Sequence, residues 1–210
     1  GIFGNPIKHT LSPLIHDTLS KSLGINERYI PFHIEGNLCE CVDMAYEQGI
    51  LGLNITIPYK QEVISCLAEV DAAAKSIGAV NTLVRCKEGY KGYNTDMLGL
   101  ARAILSEGMK IKDKKIIVLG AGGAARAAAY MCAEHGASSV FIINRTFEKA
   151  DVIANDMNCV FDTNIFVPVS SEDYRKIPFD SYMFIQCTSV GLYEGDGLPL
   201  IDDDKFYDMA

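Results

Sequence analysis

The order of apolar and polar positions divides this chain into short strands alternating with amphipathic helices. Residues 29–34 predict a strand, and residues 38–47 a helix with Leu38, Val42 and Ala45 along one side. Residues 51–57 predict the next strand, on which Asn54 and Thr56 share one face and Ile55 and Ile57 the other. Helical stretches follow over 60–67 and 70–76. Residues 80–85 and 90–93, joined by a turn at Glu88-Gly89, predict a hairpin. Asp96 can cap a helix that runs to about Glu107, where Gly108 stops it.

The pattern then restarts. A lysine-rich polar link over 110–115 places the domain change near 99–114, giving a first domain of 1–98 and a second of 99–210. The apolar run Ile116-Ile117-Val118-Leu119 predicts a buried strand, followed by a glycine turn and a small-residue helix over 124–134. A strand over 140–143, a helix from Glu148 to about Met157 and a strand over 182–187 complete the series. Strands alternating with helices of this length imply an α/β fold with βαβ units and a mainly parallel sheet.

Lys60 stands out chemically. Pro58 pre-sets a helix start, and the positive end of a helix dipole disfavours a cation in the first turn. With Asn54 and Thr56 it gathers two hydrogen-bonding side chains and an ammonium at one strand end. A surface lysine after a half-buried strand would explain that segment alone. A second polar cluster, Asn94-Thr95-Asp96, and the glycine turn further on weigh against so plain a reading.

That turn, Gly120-Ala121-Gly122-Gly123-Ala124-Ala125, lies between a buried strand and a helix, where a dinucleotide fingerprint has mechanical meaning. Gly120 permits the tight bend, Gly122 lets backbone approach a pyrophosphate, and Ala125 keeps helix and strand close. Pyrophosphate would rest on the N–H groups of the helix start. The following strand ends Ile143-Asn144-Arg145-Thr146, with Lys149 one turn on. An acid there would hold the ribose 2′-hydroxyl of NAD, whereas Arg145 and Lys149 can pair with a 2′-phosphate and Thr146 can donate to it. Thr146 is also a plausible helix cap. The residues favour NADP over NAD.

At 210 residues and 49% hydrophobic, the chain can bury a core, and a net charge of -8 argues against a nucleic-acid partner. Seven scattered cysteines read as reduced thiols filling apolar segments, with no disulfide framework. Cys39-x-Cys41 lacks a second pair or a nearby histidine, so no metal site is expected. The histidines at 9, 16, 33 and 135 share no motif and read as structural or exposed. No run is apolar and long enough for a membrane span, and the first residues lack a basic secretory leader. Gly1 is no natural initiator, so residues preceding it are expected.

Seven ordered motifs together resemble the shikimate dehydrogenase family over nearly the whole length. They are Gly4-Asn5-Pro6-Ile7 with His9-Thr10-Leu11-Ser12-Pro13; Asn54-Ile55-Thr56-Ile57-Pro58-Tyr59-Lys60; Gly78-Ala79-Val80-Asn81-Thr82; Asn94-Thr95-Asp96; the glycine turn; Asn144-Arg145-Thr146; and Thr188-Ser189 before Gly191. The resemblance implies an N-terminal α/β substrate-binding domain followed by a Rossmann-type, doubly wound parallel-sheet NADP domain. It implies reversible reduction of 3-dehydroshikimate to shikimate with NADPH, a step of chorismate and aromatic amino-acid biosynthesis, in the cytoplasm.

By the same resemblance, Thr10 and Ser12 hold the substrate carboxylate, Thr10 replacing a more usual serine. Thr56, Asn81 and Asp96 hold ring hydroxyls, with Asn54 beside them. Lys60 is the catalytic lysine and Asp96 its neighbour. Gly120, Ala121, Gly122, Gly123 and Ala124 take the pyrophosphate, while Asn144, Arg145, Thr146 and Lys149 take the adenosine phosphate. Thr188 and Met209 lie near the nicotinamide. Relatives continue beyond Ala210 with a substrate-touching tyrosine and closing helices, so the chain is expected to be a fragment. A homodimer is compatible with the resemblance. Two alternatives stay open: a quinate/shikimate dehydrogenase using NAD, and a ligand-sensing module of the same fold without turnover.

Overall fold

In the computed structural model, which describes residues 1–191 and 198–210, the chain divides into two units, Gly1–Thr95 and Asp96–Ala210. The first is built on strands β1 (Ile2–Gly4), β2 (Pro31–His33), β3 (Gly52–Ile55), β4 (Glu69–Val70), β5 (Thr82–Cys86) and β6 (Gly89–Tyr93). They form one sheet in the order β2-β1-β3-β5-β6-β4. The sheet is mixed: β1 lies parallel to β2 and β3, whereas β3, β5 and β6 pair antiparallel. The expected mainly parallel arrangement holds here with one exception: β4 lies parallel to β6, and β5 alone runs against the other five strands, the Glu88-Gly89 hairpin turning the chain back from it into β6.

Helices α1 (Ser12–Leu23), α2 (Leu38–Glu47) and α3 (Ala72–Ile77) belong to the same unit. The α2 bounds are those its periodicity predicts, since Asn37 caps it by accepting from Cys39 N and Glu40 N. Leu38, Val42 and Ala45 are buried with Phe3, Leu53, Ile55, Val63 and Leu83 in the core of the unit.

Three expectations are corrected here. Lys60 does not open an α-helix; it sits in a turn before a five-residue 3-10 helix, Glu62–Cys66. The carbonyl of Lys60 accepts from Val80 N at 2.7 Å, the bond an α-helix would have given to residue 64, and Ile64 N turns to Gln61 O instead. The dipole argument for Lys60 accordingly falls away. Strand β3 stops at Ile55, leaving Ile57 exposed rather than buried with Ile55. Finally, Cys39 and Cys66 form a disulfide, correcting the expectation of reduced thiols throughout. The start of α2 packs on the end of the 3-10 helix and brings the two Cα atoms to 4.9 Å, inside bridging range.

The second unit holds β7 (Lys115–Leu119), β8 (Ser139–Asn144), β9 (Phe166–Ser170) and β10 (Met183–Gln186), all parallel, in the order β10-β7-β8-β9. Helices α4 (Asp96–Ser106), α5 (Gly123–Glu134), α6 (Phe147–Phe161) and α7 (Asp204–Tyr207) accompany them. Alternate residues of β7 serve opposite faces. Ile116 and Val118 join α4, α5 and α6 in one cluster, while Ile117 and Leu119 join Ile143, Tyr182 and Phe206 in another. This is the doubly wound arrangement of the expected α/β fold. The chain runs from β7 outward through β8 to β9, then returns to place β10 on the other side of β7. The strand order reverses between β7 and β10, and ligand crevices of such sheets open at the carboxyl ends of strands at that point.

Candidate functional site

In the first unit, polar side chains gather near the ends of β3 and β5. Thr10 Oγ1 donates to Ser12 Oγ at 3.1 Å and accepts from Ser12 N at 3.2 Å, which braces the loop leading into α1. Ser12 is the first residue of that helix, followed by Pro13. Asn54, on β3 opposite Thr82, donates through Nδ2 to Asn81 O and Thr82 Oγ1, both at 3.4 Å. Its Oδ1 accepts from Tyr29 Oη at 2.5 Å. Thr56 follows β3 with its N–H bonded to Phe3 O.

Asn81 is the buried hub, 8% exposed. Its Oδ1 accepts from Thr82 Oγ1 at 2.9 Å and Thr95 N at 3.0 Å, while Nδ2 donates to Thr95 Oγ1 at 2.9 Å. The residue before it, Val80, holds the Lys60 carbonyl. Asn94 Nδ2 donates to Ala79 O. A continuous set of bonds therefore links the backbone of Lys60 through residues 80 and 81 to Thr95, directly before Asp96. Asp96 itself is the first residue of α4.

Tyr29 and His16 were not foreseen as site residues. His16 stacks on the Tyr29 ring at 4.0 Å between centroids and 10° between planes. Burial pushes the Tyr29 phenol up to about 12, with a hydrogen bond to Ser12 acting the other way, so it remains a neutral hydroxyl well above neutral pH. Tyr29 thus joins Ser12 to Asn54. Its only sequence signal was its place in an apolar strand-like run.

In the second unit, a cavity of about 660 Å³ opens at the carboxyl ends of β7 and β10. Gly120, Ala121 and Gly122 form one side, and Asn144, Arg145, Thr146 and Lys149 another. Gly120 has φ +106, a conformation that favours glycine, and a Cβ there would lie 3.0 Å from the Cys187 carbonyl. Gly122 caps α5 and faces open space, so its bare backbone leaves room for a pyrophosphate at the helix start. Arg145 and Lys149 are exposed at the ribose end, where no carboxylate lines the cavity among the described residues. These features fit a 2′-phosphorylated dinucleotide. Thr146 occupies the cap position of α6 without a side-chain cap bond, leaving its hydroxyl to the cavity.

Thr188 and Ser189 close the cavity together with Cys187, Val190 and Leu198, of which the sequence singled out only Thr188 for the cofactor. Gly123 and Ala124 begin α5 behind the lining. Met209 is packed in the core with Ile177, Tyr182 and Phe206, and its carbonyl accepts from Tyr182 N.

Residues 2–83 match the family model described as shikimate dehydrogenase substrate binding domain, and residues 99–166 that described as shikimate / quinate 5-dehydrogenase. The chain is similar to "Shikimate dehydrogenase (NADP(+))" of Methanocaldococcus jannaschii, at 42% identity over 98% of this chain and 73% of that protein. It is similar to a crystal structure of shikimate dehydrogenase in complex with NADP+, with a TM-score of 0.84 and 35% identity over 96% of this chain and 70% of the other. Quinate dehydrogenase from Corynebacterium glutamicum in complex with NAD superposes with a TM-score of 0.84 at 27% identity, covering 96% of this chain and 74% of that one.

Proposed function

This chain belongs to the shikimate dehydrogenase family, and from that premise we propose that it reversibly reduces 3-dehydroshikimate to shikimate with NADPH. The observation that carries the cofactor half is a cavity with open glycine backbone at one side and Arg145, Thr146 and Lys149 at the ribose end. The substrate is taken by residues 1–98, Asp96 among them, and the dinucleotide by residues 99–210. When bound, NADPH supplies the hydride.

The substrate is an anion, and Thr10 and Ser12 offer it two linked hydroxyls for the carboxylate. Thr56, Asn81 and Asp96 hold ring hydroxyls, Asn81 with its amide already fixed by Thr82 and Thr95. As the carbonyl of the substrate becomes an alkoxide, Lys60 stabilises the charge and donates the proton, and in the reverse direction it removes the hydroxyl proton. Asp96 orients the ammonium. The enzyme works in the cytoplasm, with a homodimer as its assembly.

Oxidation of quinate with NAD is the second reading, favoured by the family model that names both substrates and by the likeness to an NAD-bound quinate dehydrogenase. An absorbance assay of the complete protein, pairing NADP or NAD with shikimate or quinate, separates the two. Highest kcat/KM with NADP and shikimate is expected. Preference for NAD with quinate would transfer the assignment to the second reading, and no turnover of any pair would end both.

A further inference from the structure

Residues 186–190 leave the end of β10 and enter the wall of the dinucleotide cavity. Cys187 N donates to Leu119 O at 2.8 Å, which ties this turn to the strand leading into the glycine loop. A Cβ on Gly120 would stand 3.0 Å from the backbone of Cys187 and 3.2 Å from Thr188 Cγ2. The two loops are in close contact, so the placement of Thr188 shapes the cavity directly.

Gln186 holds Thr188 by two bonds. Its Oε1 lies 3.1 Å from Thr188 N and 2.9 Å from Thr188 Oγ1. A backbone N–H can only donate, so the amide must present its oxygen at this point. That oxygen can only accept, so the Thr188 hydroxyl must turn its hydrogen toward it. The hydroxyl oxygen also accepts from Val190 N at 3.3 Å. With its single hydrogen engaged, the hydroxyl can offer the cavity only a remaining lone pair.

Resting on the NADPH reading above, we infer that Gln186 is a positioning residue for the cofactor, presenting Thr188 to it as a hydrogen-bond acceptor. An acceptor there suits the N–H₂ of a carboxamide, the group that nicotinamide carries, and disfavours another acceptor such as a phosphate oxygen. Gln186 is itself exposed and lies outside the cavity lining, so it acts through Thr188.

The test is fluorescence titration of the complete protein with NADPH, alongside calorimetric titration with adenosine 2′,5′-bisphosphate, which lacks the carboxamide. Gln186→Leu releases the hydroxyl and should weaken NADPH about fivefold, the effect of one neutral hydrogen bond. Adenosine 2′,5′-bisphosphate should bind that variant as it binds the native protein. Gln186→Glu keeps an acceptor oxygen on the same frame and should recover most of the NADPH affinity. Unchanged NADPH affinity in Gln186→Leu would overturn the role, as would equal weakening of both ligands or failure of Gln186→Glu to recover. A native protein that binds neither ligand would instead remove the NADPH reading on which the inference stands.

Discussion

The main chain of Lys60 is anchored independently of its side chain, by Val80 N at its carbonyl and by the bond from Val63 N to Tyr59 O beside it. Removing the ammonium should therefore disturb chemistry and leave the segment in place. Lys60→Ala is expected to lower turnover at least about a hundredfold, the lower end of acid–base assistance, with an unchanged melting temperature. Near-native turnover would exclude Lys60 as the proton donor. The physical reason first assigned to this residue fails, since no α-helix follows, and its catalytic role rests on the turnover measurement. What marked it was its place after Asn54 and Thr56 on one chain segment. Tyr29 was not legible because its partner Asn54 lies 25 residues away and only the β2-β1-β3 order brings them together. Gln186 escaped for the opposite reason: its bonds are local, but they depend on a turn whose path no periodicity describes.

At the scale of elements, periodicity located α2, β7, β8 and α5 to within a residue or so because each has a cap or a strongly buried face. It missed β1, which has three residues, and β9, where Pro168 argues against a strand. Proline is tolerated there because β9 is the edge of its sheet. The bridge between Cys39 and Cys66 was illegible for a related reason, as it depends on the docking of α2 against the 3-10 helix. Its sequence separation of 27 corresponds to a stabilisation of roughly 3.5 kcal/mol from loop closure in the unfolded chain. The native protein should then show a higher denaturant midpoint than the Cys39→Ser variant without reductant, and the gap should close when dithiothreitol is added. Titration of unreduced, denatured protein should find five thiols, those of Cys41, Cys86, Cys132, Cys159 and Cys187. A count of seven would show the pair reduced.

Across the whole molecule, the two units have separate cores, and apart from Asp96 the residues assigned to the two ligands divide between them. Phe3, Leu53 and Val63 belong to one cluster, whereas Ile116, Val118 and Val140 belong to another. The net charge of -8 sets a general repulsion toward both anionic ligands, so binding must come from local groups such as Lys60, Arg145 and Lys149. A ligand stabilises the native form it binds, by about 2.7 kcal/mol at a hundredfold excess over Kd. Exchange of backbone amides should register where that effect begins. NADPH alone is expected to slow exchange in peptides covering 119–126, 143–150 and 186–191. Shikimate alone should slow peptides covering 9–13, 53–60 and 80–82. Hydrogen–deuterium exchange followed by mass spectrometry reads both patterns on the same protein. Protection by NADPH confined to residues 1–95 would contradict the assignment of the two units, whatever the activity assay returned.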